Sequence, residues 1–241
     1  MMEKSLLEAD FACIDDNYKR ITENIAEAAL KSGRKPEDIR FMAVTKTVQP
    51  VYINHAVELG VRLIGENKVQ ELLSKLDYLE KDKLDMHLIG HLQSNKVRKI
   101  ISTVSMIESV DSLSLAQEIS RQAVNSSLNM DVLLEINIGN EESKTGFSYD
   151  EAARRAAEIN ELENLHVRGF MAIPPVCDTE DEARRYFAKM YRLFSDTKSE
   201  FAADAQFDTL SMGMSADYAT AVLEGATLVR VGTALFGLRR Y

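Results

Sequence analysis

The stretch RFMAVTKTVQPVYINHAVELGVRLIG, from Arg40 to Gly65, decides the fold. Arg40 to Thr45 is a short apolar run of strand length, Pro50 to Leu59 reads as a helix, and Val61 to Gly65 is a second apolar run. Strand, helix and strand in succession form the unit that lays helices over a parallel sheet. The same alternation continues outward, with further runs at Met86 to Gly90, Val104 to Val110, Val132 to Asn137, Val167 to Ile173, Phe207 to Ser211 and Thr227 to Val231, making eight in all. Helical stretches fill most of the gaps, at Lys68 to Leu79, Ser94 to Ile101, Ser112 to Asn125, Tyr149 to Leu162, Thr179 to Phe201 and Ser215 to Glu224. This count and a length of 241 residues suit an α/β fold of the (β/α)8 barrel type, for which about 250 residues is typical. A doubly wound open sheet is the competing fold. In the first 32 residues, Leu6, Leu7, Phe11, Ile14, Tyr18, Ile21, Ile25 and Leu30 recur mostly three and four apart. That spacing predicts an additional amphipathic N-terminal helix ending near Ser32-Gly33 and packed on the main body.

Composition bounds the function. Hydrophobic residues are 45% and charged residues 28%, as in soluble globular domains. With 29 Lys+Arg against 38 Asp+Glu the formal charge is -9, which argues against a nucleic-acid or anionic-membrane partner. Only four prolines and eleven glycines are present, without a linker-like run, so residues 1–241 are expected to form a single domain. Cys13 and Cys177 form no CxxC pair, which fits a reducing cytoplasm better than a disulfide framework. The acidic N-terminus MMEKSLLEADFACIDDNYKR is not a secretory signal, no apolar stretch is long enough to span a bilayer, and Arg239-Arg240-Tyr241 carries no lipidation signature. A soluble cytoplasmic protein is expected, and its acidic surface permits a monomer.

Reactive groups of barrel enzymes lie at the carboxyl ends of the strands. Lys46 follows the first run directly, either as a solvated loop residue or as an amine in the barrel mouth able to attack a carbonyl and form a Schiff base. Asn67, after the second run, is a pocket residue or a helix cap. His87 and His91 are four apart, but Gly90 between them makes a metal pair unconvincing, and no metal is expected. At the C-terminal end, Ser211-Met212-Gly213-Met214-Ser215 and Val229-Arg230-Val231-Gly232-Thr233 close the seventh and eighth runs. Barrels often hold phosphate with these two loops and a short extra helix. Gly213 and Gly232 would admit backbone amides, and the Ser211 and Thr233 hydroxyls would add donors; two tight βα turns are the alternative. Arg230, within an apolar strand, needs a partner, either a ligand ring or a carboxylate such as Glu135. An amine, a phosphate site and a cation between them point to a phosphorylated aldehyde held as an imine. Pyridoxal 5′-phosphate (PLP) satisfies all three.

The segments AVTKT (Ala43 to Thr47), GENKVQE (Gly65 to Glu71), HLIGHLQSNK (His87 to Lys96), EINIGNEESKTGF (Glu135 to Phe147), GFMAIPP (Gly169 to Pro175), SMGMSAD (Ser211 to Asp217) and VRVGTALFG (Val229 to Gly237) together resemble the pyridoxal phosphate homeostasis proteins, the YggS/PROSC family. The resemblance covers nearly the whole chain. It implies a single (β/α)8 barrel like the N-terminal barrel of alanine racemase, with PLP on Lys46. It also implies phosphate contacts from Ser211, Gly213, Gly232 and Thr233, a cofactor lining that includes Asn67, Met171 and Met212, and Arg230 facing the pyridine nitrogen. Lys68 and Met86 depart from the common pattern, where Tyr or Arg and Trp are frequent.

The implied function is buffering or delivery of PLP, with PLP-dependent apoenzymes as candidate recipients. A cationic donor at the ring nitrogen would weaken the cofactor as an electron sink. The chain ends four residues after Gly237, so the second domain that completes a racemase site is not expected. A slow PLP-dependent amino-acid racemase or related enzyme is the main alternative, and an imine-forming aldolase is a weaker one. Lys144, beyond the fifth run, is a secondary amine for cofactor transfer or a solvated loop residue.

Overall fold

A computed structural model of the protein describes residues 2–141, 144–201 and 206–237. Eight strands, β1 (Arg40–Val44), β2 (Leu63–Glu66), β3 (Asp85–Leu88), β4 (Met106–Val110), β5 (Met130–Ile136), β6 (Leu165–Ala172), β7 (Thr209–Ser211) and β8 (Leu228–Val231), follow one another in parallel around a closed barrel. Closure is made by β8 against β1, with Arg40 opposite Leu228 and Ala43 opposite Val231. The expected barrel is therefore present and the open sheet is excluded. Helices α2 (Pro50–Leu59), α3 (Val69–Lys75), α4 (Val97–Ile100), α5 (Leu113–Asn125), α6 (Ala152–Asn160), α7 (Glu180–Glu200), α8 (Tyr218–Leu223) and α9 (Thr233–Phe236) follow β1 to β8 in turn.

The strands read as apolar runs because both of their faces are covered. Ala43, Ile64, Leu88, Ile107, Leu134, Phe170 and Val229 face outward into the large core beneath the helices. Met42, Leu63, Ile89 and Leu228, and separately Met106, Leu133 and Met171, fill the barrel itself. The paired segments are shorter than most of the runs. Val61, Val104 and Phe207 are buried but precede the strands they introduce, because an apolar run reports burial and not ladder pairing. Two helices are shorter than their patterns for a related reason: α3 tightens into a 3-10 turn at Leu76–Tyr78, and α4 is preceded by one at Ser94–Lys96.

One bulge shapes the lower half of the barrel. Along β6, Val167 opposes Val132 while Gly169 opposes Leu133, so Arg168 is the extra residue. Its guanidinium pairs with Asp131 and Asp208. Gly169 takes φ +143°, and a Cβ there would lie 1.9 Å from the Thr209 carbonyl oxygen, so only glycine fits.

Helix α1 (Met2–Lys31) lies against α2, α8 and α9, as its pattern predicts. It buries Ile14, Ile21, Ile25, Ala28 and Ala29. Asn17 donates its side-chain N–H to the Leu235 carbonyl at 3.0 Å, and Asn24 donates to the Tyr218 hydroxyl at 2.9 Å. Among the described residues no helix is long and apolar enough to cross a membrane.

Candidate functional site

The first strand delivers Lys46 to the barrel mouth on a tight turn. Val48 N–H donates to the Thr45 carbonyl at 3.0 Å, and Thr47 within the turn has φ +64°, a conformation that β-branched residues rarely adopt. Strain of this kind persists only where surrounding contacts hold it. Here they come from a buried cluster. Lys75, only 7% exposed, donates to Glu66 Oε1 and Glu71 Oε1 at 2.6 Å each and to the Thr45 carbonyl at 2.8 Å. The Thr45 hydroxyl donates to Glu66 Oε1 at 2.9 Å, and Thr47 N–H donates to Glu71 Oε1. Burial raises the Glu66 pKa despite Lys75, whereas Glu71, also opposed by burial, is held lower by Lys75 and the Thr47 N–H. The Lys46 side chain is half-buried, and among the described residues no hydrogen bond or ion pair engages its amine.

Next to the Lys46 turn, since β8 pairs with β1, the loops after β7 and β8 form a set of amide donors. Gly232 N–H and Ala234 N–H both donate to the Ser215 hydroxyl at 3.1 Å. The intervening Thr233 N–H and the Gly213 N–H have no partner among the described residues. Gly213 turns at φ +88°, where a Cβ would lie 2.4 Å from the Ala221 Cβ. Beside β2, Asn67 is half-buried and its Oδ1 is buried without a hydrogen-bond partner.

Below this rim a polar column fills the barrel axis. His87 Nδ1 meets Glu108 Oε1 at 2.6 Å, the Ser211 hydroxyl donates to Glu108 Oε2 at 2.6 Å, and Arg230 donates to Ser211 Oγ at 2.6 Å and to the Ala172 carbonyl at 2.9 Å. At the lower end His87 Nε2 lies 3.4 Å from Asp85, which pairs with Arg40 at 2.7 Å. Burial opposes charge throughout the column. Even so, hydrogen bonds to Asp85 and Glu108 raise the pKa of His87, and the hydrogen bond and charge of His87, with the charge of Arg230, lower that of Glu108. Asp85 is likewise held low, by His87, Ser105 and Arg40. Burial lowers the Arg230 pKa against the charges of Glu108, Asp217 and Glu135, and raises that of Glu135, with Asp111 adding to the rise.

These shifts set a pH window. A raised histidine contributes stability below its ordinary value near 6.5 and loses it as pH rises through the folded value. A lowered carboxylate contributes above about 4.5 and loses it as pH falls through its folded value. The His87–Glu108 pair therefore stabilises most between these limits. Urea unfolding should show wild-type stability declining above pH 7 relative to a His87→Gln variant, and parallel pH profiles of the two proteins would refute the pairing.

The structure brings Lys46, Asn67, Gly213, Gly232, Thr233 and Arg230 to one end of the barrel. Met171 lies fully buried in the barrel interior, whereas the Met212 side chain belongs to the outer core beneath the helices. Ser211, expected to offer its hydroxyl to phosphate, donates that hydroxyl to Glu108 and accepts from Arg230. Arg230, for its part, makes no ion pair with Glu135 among the described residues; its link to a carboxylate runs through Ser211 to Glu108. Ser215 holds the amide cradle, a role that its place in SMGMSAD alone did not indicate. Lys144 pairs with Glu141. His91 pairs with Asp111, and among the described residues no cluster of three metal-ligating side chains exists.

The family described as alanine racemase, N-terminal domain, matches residues 17–240. The pyridoxal phosphate homeostasis protein of Aquifex aeolicus is 38% identical over 226 residues, covering 94% of this chain and 98% of its own. The structure of PipY from Synechococcus elongatus with PLP bound superimposes with a TM-score of 0.76 at 33% identity, over 88% of this chain and 100% of PipY. An alanine racemase from Clostridium difficile shares the fold, with a TM-score of 0.69 at 20% identity, over 94% of this chain and 58% of the racemase. With a closed eight-stranded barrel, a lysine at the end of its first strand and this likeness over nearly its full length, the chain belongs to the pyridoxal phosphate homeostasis protein family.

Proposed function

We propose that this protein binds PLP in the barrel mouth, holds it covalently through Lys46, and serves in its intracellular homeostasis by buffering or delivering it. The observation that carries this reading is an unpartnered amine at the end of β1, on a turn braced by Lys75, on the same rim as the free amides of the neighbouring β8 and β7 loops. The residues fit the group: the Thr233 and Gly213 amides suit a phosphate, with the Ser215 hydroxyl and Gly232 shaping the cradle. Asn67 offers an unsatisfied acceptor, and Arg230 lies one step deeper, suited to a ring nitrogen. When bound, PLP supplies an aldehyde that condenses reversibly with a primary amine and a ring that can accept electron density.

Lys46 would act as the nucleophile, and its place at the end of β1, with no ion pair or hydrogen bond on its amine among the described residues, leaves it free to meet an aldehyde. Arg230, a permanent cation and donor, would disfavour a proton on the ring nitrogen, which suits holding the cofactor rather than stabilising a carbanion. The Met171 side chain, buried in the barrel interior, would lie beneath the ligand, whereas Met212 would line the mouth through its backbone alone. A cytoplasmic, single-domain monomer that passes PLP to dependent apoenzymes is the accompanying proposal.

The test is borohydride reduction of the protein incubated with PLP, followed by peptide mapping. A label on Lys46 is expected, and a label on another lysine alone would refute the assignment. Turnover of a panel of L-amino acids at about 1 s⁻¹ or faster, lost in Lys46→Ala, would replace the carrier reading with an enzymatic one.

A further inference from the structure

Five ionisable side chains, basic and acidic in alternation, run along the barrel: Arg40, Asp85, His87, Glu108 and Arg230, the last two bridged by the Ser211 hydroxyl. His87, Glu108 and Arg230 are 1%, 0% and 3% exposed. Ion pairs in such a place carry a desolvation cost that an apolar filling would avoid, and Met42, Leu63, Met106, Leu133 and Leu228 fill the same interior without it. An apolar filling would avoid that desolvation, so the column asks for a role beyond packing, and its upper end is Arg230, the cation proposed to meet the ligand ring. Its spacing explains the alignment: Glu108 and Arg230 stand two residues beyond the inward-facing Met106 and Leu228, and Asp85 and His87 occupy alternate positions of β3.

We propose that Glu108 and His87 are positioning residues for Arg230: the Glu108 carboxylate, acting through Ser211, orients and charge-balances the guanidinium that meets the ligand ring, and His87 holds Glu108 in place. This rests on the reading of the mouth as a PLP site. Glu135 and Asp217 also act on Arg230 electrostatically, but only Glu108 reaches it through a hydrogen-bonded bridge. Asp85 and Glu108 are the charged groups facing His87. The phosphate cradle shares none of these bonds, so the column should affect the ring end of a ligand and leave the phosphate end alone.

Glu108→Gln and Ser211→Ala test the proposal, the second removing only one hydroxyl and leaving both ionisable groups in place. Circular dichroism and melting establish folding, and titration of each ligand-free protein with PLP and with inorganic phosphate gives the affinities. The expected result is PLP binding weakened roughly tenfold, a displaced absorption band of the bound chromophore, and unchanged affinity for inorganic phosphate. Wild-type PLP affinity and absorption in either folded variant would overturn the proposal, as would equal weakening toward both ligands, which marks a general structural role. Failure of the wild-type protein to colour with PLP would instead remove the reading on which the proposal rests.

Discussion

Lys46→Ala loses the borohydride-stable PLP label completely and binds PLP at least about a hundredfold more weakly than wild type, while its fold is unchanged. The loss of label follows from chemistry, since no other amine is presented on the turn that closes β1. The residual affinity follows from geometry. The amides of Gly213 and Thr233 belong to the β7 and β8 loops and make no bond to Lys46, so phosphate-directed binding in the millimolar range, about -4 kcal/mol, should persist. Because the Lys46 amine makes no ion pair or hydrogen bond among the described residues, the substitution should change stability by no more than about 0.5 kcal/mol. Lys46→Arg provides the sharper control: it keeps a cation in place but cannot condense with the aldehyde at neutral pH. Full labelling in either variant, measured by mass spectrometry of the reduced protein, would show that the covalent partner lies elsewhere.

Much of this was legible in the chain. The alternation that starts at Arg40 and returns at Thr227 specifies eight strands, because strands covered on both faces must be apolar throughout and their helices must show one apolar face. Lys46, Gly213 and Gly232 stood out because chemistry in a barrel gathers where strands end. The interior of the column was not legible. His87 and Glu108 look like ordinary polar interruptions of apolar runs, and only closure of the barrel brings β3, β4, β7 and β8 around one axis. Ser211 and Ser215 illustrate the same limit. Both are serines at the end of β7, four residues apart, and nothing in composition or spacing tells that the first points into the column while the second meets the amides after β8. Lys75 ends α3, four residues after Glu71, where a solvated lysine is the ordinary expectation. Its burial depends on Glu66 ending β2 directly beneath the Lys46 turn, a long-range coincidence that local pattern does not contain.

Lys75→Met should be the most damaging polar substitution near the site. The lysine lies 2.6 Å from both Glu66 and Glu71, and Glu66 is only 1% exposed. Removing the cation strands a buried carboxylate, for which the expected loss is about 3 to 5 kcal/mol near neutral pH. The pH dependence has a definite sign. Burial already raises Glu66 in the wild-type protein, and loss of the Lys75 hydrogen bond and charge, the two principal influences lowering it, raises it further. The folded variant then binds a proton that the unfolded chain releases above about pH 4.5, so its stability increases as pH falls and decreases as pH rises. Urea midpoints at pH 5.5 and pH 8 should therefore diverge more in Lys75→Met than in wild type. Adding Glu66→Gln should recover part of the loss, because a neutral amide can remain buried without a counter-ion, and this non-additivity identifies the pair as coupled. The consequence reaches the site through the backbone: Lys75 also anchors the Thr45 carbonyl and, through Glu71, the strained Thr47. A turn freed from these contacts should carry Lys46 less precisely and slow its labelling by PLP, even at pH 5.5 where the fold is largely restored. A variant with wild-type midpoints at both pH values and wild-type labelling kinetics would show that the cluster neither stabilises the barrel nor presents the amine.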